Sequence, residues 1–334
     1  MGLLIAGPAG AAPATDSDPA SSQPSDPTAL AAAVDYAGRI TPLVNEANAL
    51  MSDIIDLSSR YLLGFTEPDA YTRDRKAIDA AAKALAARIG DLNASAKALP
   101  DPPAGPFAAR GLELKRYVEK VMVDVADMKA ALDRLPGRVK ARDADGFDAA
   151  RAVLFRYSSN ALRSENALLT AGQMTTTIGH PEYHLLEAMK NANLVIAEFL
   201  DLLQRANAGE REDMSEAAGR IDAHHKAITI SLDAAAALAD GLEAQFALQA
   251  PALKTESDAF FAAYRAAFGV ERRIGAALAD YPAMAAGIAG GAAPASFKAR
   301  LDEIGALFPA LINERQAAMS AKQAAGVALA AKAQ

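Results

Sequence analysis

From residue 28 onward the apolar residues return every three or four positions, and no stretch alternates polar with apolar as a strand would. This rhythm predicts an all-α protein, an elongated antiparallel bundle of about eight long helices. The first stripe runs Leu30, Val34, Ala37, Thr41, Val44, Ala47, Met51, Ile54, Ser58 and Tyr61. A second, Leu186, Met189, Asn193, Ile196, Leu200 and Leu203, predicts an inward seam that leaves His184, Asn191, Glu198 and Arg205 facing water.

Prolines and glycines punctuate the pattern. Pro27, Pro68 and Pro181 suit the first position of a helix, where a missing N–H costs nothing. Thr41-Pro42 reads as a restart or kink, Pro136-Gly137 as a stop, and Pro100 to Pro103 as a firm break. A helix begins near Asp145-Gly146 and fades around Gly172. Asp213 and Glu216 fit a capping box opening a helix that reaches Ala250. Pro251 starts or kinks the next, which runs to about Tyr281. The last begins near Pro294, kinks at Pro309 and frays over its final nine residues, GVALAAKAQ. One helical domain over 28–334 is expected, with two sub-bundles hinged near 175–180 as a variant; the proline loop near 100–106 is a second candidate hinge.

Composition narrows the classes. Of 334 residues, 51% are hydrophobic, which is ample for one large core or two smaller ones. Much of this is alanine, which favours helix and lets helices approach closely. Basic residues number 34 against 41 acidic, a net charge of -7 with both signs interspersed, so a nucleic-acid partner is not expected. The absence of cysteine excludes disulfides, thiolate metal sites and cysteine nucleophiles in this chain. No membrane span is expected, since Pro282, Gly290, Gly291 and Pro294 break the uncharged run from Tyr281 to Phe297.

Residues 1–27 stand apart. Leu3-Leu4-Ile5 followed by Ala12-Pro13-Ala14 reads as the remnant of a signal peptide, and Thr15 to Pro27 as a disordered tether. Together they imply export to a periplasmic or envelope location. Leu4-Ile5-Ala6-Gly7 has the form of a lipoprotein signal, but position 8 is Pro where the lipidated cysteine would stand.

The stretch HPEYHLLEAMKNANLVIAEFLDLL, from His180 to Leu203, resembles the central helix of the YiiG-like bacterial envelope lipoproteins. YVEKVMVDVADMKAAL, DADGFDAARAVLFRY and ASFKARLDEIGALFPALINE resemble other segments of that family in order and spacing. The resemblance covers most of Val34 to Arg315. It implies a helical, exported protein built around a domain of unknown function, and supplies no catalytic residues.

Candidate chemistry is sparse. His180, His184 and Glu187 share one helix face, as a zinc or copper site would need; a solvated polar face is the plainer reading. His225 falls in an apolar stripe, which fits a core histidine with one hydrogen-bond partner; Asp222 is available. Asp222-x-x-His225 alone is far short of a di-iron carboxylate bundle. Asn193 suits a register-fixing polar residue in a seam. Phe260, Phe261, Tyr264 and Phe268 form an aromatic stripe that suits a core.

No catalytic, cofactor-binding or metal residues are assigned, and no cofactor is called for. The expectation is a non-enzymatic exported helical-bundle protein, an envelope scaffold or binding module with an unknown envelope protein or apolar small molecule as partner. The alternatives are a carrier of an apolar ligand in an inter-helix pocket and a metal-binding protein.

Overall fold

The computed structural model describes residues 27–174, 176 and 179–333. The signal reading and the tether reading up to residue 26 lie outside these residues, as do residues 175, 177 and 178 of the threonine-rich loop near 175–180. Among the described residues there is no strand. Among these residues eight helices have 17 residues or more: α1 (Pro27–Thr66), α2 (Pro68–Lys97), α3 (Ala108–Leu132), α6 (Tyr157–Gln173), α7 (Pro181–Asn207), α8 (Met214–Gln249), α9 (Lys254–Ala277) and α11 (Lys298–Ala333). Three short ones join them: α4 (Leu135–Ala141), α5 (Ala144–Ala152) and α10 (Tyr281–Ala289). The all-α bundle class is thus the observed one. No helix among the described residues is long and apolar enough to cross a membrane.

The helices fall into two compact units, 28–171 and 172 onward, with the border inside the last turn of α6. In the N-terminal unit, α1, α2 and α3 converge on one core. Leu50, Met51 and Ile54 of α1 meet Ile78, Leu85 and Ile89 of α2 and Val121, Val125 and Met128 of α3. Phe147 of α5 closes one end, its ring 5.0 Å from Phe65. Arg88 of α2 bridges Glu46 and Asp53 of α1 on the outside.

The α1 stripe matches from Val44 on, but its first turns differ. Ala33, Tyr36 and Ile40 are buried, whereas Val34 is exposed. The larger Tyr36 and Ile40, beside the extrapolated line, take the interior. The helix also runs through Pro42 without a restart.

Several other boundaries differ. Pro136 and Pro282 stand in the first turns of α4 and α10, so they open short helices rather than end long ones. Asp143 caps α5, its carboxylate accepting from the N–H of Gly146 at 2.9 Å. Asp213 makes no such bond; it sits at φ +54°, and Glu216 pairs with Arg220, so no capping box forms. The C-terminal segment is helical to Ala333 and buries Leu329.

In the C-terminal unit α7 packs along α8, α8 against α9 and α10, and α11 along α9. The buried positions of α11 are Ile304, Arg315, Lys322 and Leu329, so two cations lie on its inward side.

Candidate functional site

Polar chemistry in the C-terminal unit gathers along α7. Its supposed solvent face is covered: Asn191 is 6% exposed, and none of His184, Glu198 or Arg205 is fully exposed. Over Asn191 and Glu198 the cover is α8, which lays its own polar side chains on them, while Arg205 pairs with Glu210 just beyond α7 at 3.2 Å. Asn191 donates to the carbonyl of Glu187 at 2.8 Å and accepts from Nδ1 of His224 at 2.8 Å. Glu198 holds Arg220 at 3.0 Å and lies 3.6 Å from Nε2 of His224. At Asn191 and Glu198 the polar stripe is an interhelical seam.

Glu187 belongs to a second knot at the start of this seam. Lys190, 2% exposed, donates to Gln173 at 3.1 Å and to Glu187 at 3.3 Å. Gln173, from the end of α6, donates to Glu187 at 2.7 Å and to the carbonyl of Tyr183 at 3.2 Å. Burial alone would raise the Glu187 carboxyl. The Lys190 charge and the hydrogen bonds from Gln173, Lys190 and Asn191 outweigh it and hold the group below its ordinary value. Burial likewise works against Glu198, and His224 and Arg220 outweigh it.

The third cluster joins the first turn of α7 to α9 and α11. Glu182 accepts from the Tyr264 hydroxyl at 2.8 Å and from the Lys322 ammonium. That ammonium also sits 4.9 Å above the Tyr264 ring, a cation–π contact. Burial, then the Glu182 charge, pushes the Tyr264 phenol far up. Deeper along α9 and α11, Arg315 forks onto Glu271 through two 2.6 Å bonds.

The sequence-level candidates are dispersed by this arrangement. His180 is the N-cap of α7, its Nδ1 accepting from the N–H of Glu182 at 3.2 Å. The His184 ring stands edge-on to Tyr183 at 5.0 Å, and Glu187 is engaged as above. Among the described residues no three His, Asp or Glu side chains are grouped to hold a metal ion. His225 bonds to the carbonyl of Gly275 at 3.1 Å rather than to Asp222, which pairs with Lys226. Asn193 is buried in the α7 seam. Phe261, Tyr264 and Phe268 are buried, and the rings of Phe260 and Tyr264 stand 4.9 Å apart.

Tyr264, Lys322, Arg315 and Glu271 escaped the sequence reading as polar partners. Their pairings span 44 to 140 residues of chain and leave no mark at three- or four-residue spacing. The one signal was a charged residue recurring inside an otherwise apolar α11 repeat. Comparison with protein-family models, with curated proteins and with solved structures gives no match.

Proposed function

We propose that the chain is a non-enzymatic, exported helical scaffold or binding module of the bacterial envelope, akin to the YiiG-like lipoproteins it resembles. One observation carries the non-enzymatic part. Glu271, which is buried, and Glu182, Glu187 and Glu198, which are half-buried, are each held by a cation, in most cases from another helix. Catalytic acids and bases need a substrate-facing group whose proton affinity matches its task. Groups locked to one another instead fix how helices sit, as a rigid docking body requires. The envelope part rests on the signal-like residues Leu3 to Ala14 and on the family resemblance.

Expression of the full chain with a C-terminal tag, followed by osmotic-shock fractionation and N-terminal sequencing, tests the location. The expected product begins just after Ala14 and is released with the periplasmic fraction. An unprocessed, cytosolic product overturns it. Photo-crosslinking from exposed positions such as Ile230 or Leu248 in living cells tests the binding role. A discrete adduct with an envelope protein is expected, and its absence at every exposed position tried counts against a docking body.

A further inference from the structure

The residue that opens α7 is unusual for its place. N-caps are ordinarily Ser, Thr, Asp or Asn, whose oxygens accept at any physiological pH. Here the acceptor is an imidazole nitrogen. A backbone N–H can only donate, so Nδ1 of His180 is unprotonated and the ring proton sits on Nε2. The next-but-one residue, Glu182, is where Lys322 of α11 and the Tyr264 hydroxyl of α9 meet α7. The cap and the three-helix junction therefore share one turn.

We propose that His180 makes the seating of α11 on α7 and α9 depend on pH: the neutral ring caps α7 and fixes Glu182 at the junction, and the protonated ring does neither. A proton on Nδ1 turns the acceptor into a donor facing the Glu182 N–H. The imidazolium then lies at the positive end of the helix dipole. It also lies near the Lys322 ammonium, which repels it. Among the described residues Glu182 is the anion that acts on the ring, and its Oε2 already takes Lys322 and Tyr264. Tyr183 and His184 stand on the same turn, and Glu187 a turn further on is committed to Gln173, Lys190 and Asn191.

Burial holds the His180 pKa below the ordinary histidine value; Glu182 pulls it back, and Lys322 adds a smaller push downward. The sign follows. The unfolded chain takes up the proton first, so the junction is at full strength above the ordinary histidine range. It weakens as pH falls from there through the lower folded value. The device is independent of the compartment proposed above.

Hydrogen exchange of the full chain at pH 7.5 and 5.5, corrected for intrinsic rates, tests it. In the wild type, protection of Glu182, Tyr183 and the α11 amides around Lys322 should fall about fivefold or more at the lower pH. His180→Asn, whose amide oxygen accepts at both pH values, should retain it. An unchanged wild type, or an equal loss in His180→Asn, overturns the proposal. An NMR titration of the wild-type ring needs no variant. The Nε2–H tautomer at pH 7.5 and a titration below the free value of about 6.5 are expected, and the Nδ1–H tautomer or a higher midpoint overturns it.

Discussion

Arg315 of α11 and Glu271 of α9 face each other through two parallel 2.6 Å hydrogen bonds, with side-chain exposures of 6% and 2%. Planar guanidinium on planar carboxylate satisfies both groups at once, which is what makes the burial tolerable. Removing one partner strands the other. Glu271→Gln or Arg315→Met should each destabilise by about 3–5 kcal/mol, while Glu271→Leu with Arg315→Met together should cost far less or nothing. Urea unfolding of the three variants, followed by circular dichroism, measures this; equal costs for single and double changes would contradict it.

Tyr264 links the aromatic stripe to Glu182, and Lys322 reaches the same carboxylate. Tyr264→Phe keeps the ring and loses the hydroxyl, so it should cost about 1.5–3 kcal/mol, the scale for a hydrogen bond to a charged group. In a double-mutant cycle with Glu182→Gln the two losses should be strongly non-additive. Additive losses would mean that the hydroxyl acts elsewhere.

A separate pH dependence belongs to the carboxylates. Glu187 and Glu198 are both held below their ordinary values, so the folded state binds their protons less readily than the unfolded chain does. Their contribution is complete above the ordinary carboxylate range near pH 4.3 and is lost as pH falls through the lower folded values. Urea midpoints should therefore drop steeply between about pH 4.5 and 3, and Glu187→Gln should flatten that slope.

The sequence made the helices legible because helix starts are written locally. Pro27, Pro68 and Pro181 each stand at the first residue of a helix. Pro136 and Pro282 stand at the second residue of short helices, but each comes so soon after the preceding helix that Pro136 reads as a stop and Pro282 as a break in an apolar run. The polar seam of α7 was less legible. Asn191 and Glu198 lie on the side away from the apolar stripe whether that side meets water or the polar face of α8, so helical spacing alone cannot separate the two cases. The alternation of charge and apolar residues along α11 carried the same ambiguity: nothing local says that Arg315 and Lys322 point inward.

Gly64 of α1 carries no Cβ where α4 passes closest; one added there would collide with a methyl of Val139. Alanine normally favours a helix over glycine by about 1 kcal/mol. Here Gly64→Ala should instead destabilise by about 1–3 kcal/mol, because a β-branched neighbour has little room to turn away. Gly64→Ala with Val139→Ala should recover part of the loss in thermal unfolding. Stabilisation by the single change would show that α4 yields easily.

Pro42 lies inside α1 and is exposed. Its ring opposes the carbonyl of Gly38 and forfeits one ladder bond. Pro42→Ala should raise stability by about 1–3 kcal/mol in urea titration; a loss would mark the proline as holding a bend that the unit needs.

Arg315 and Lys322 are seven residues apart on one helix, and their anions come from two different partners, α9 and α7. They work like two dowels in a plank. Sliding α11 by a single turn would pull both from their sockets together, so its alanine-rich surface, which by itself would slip easily, has one permitted position along its neighbours.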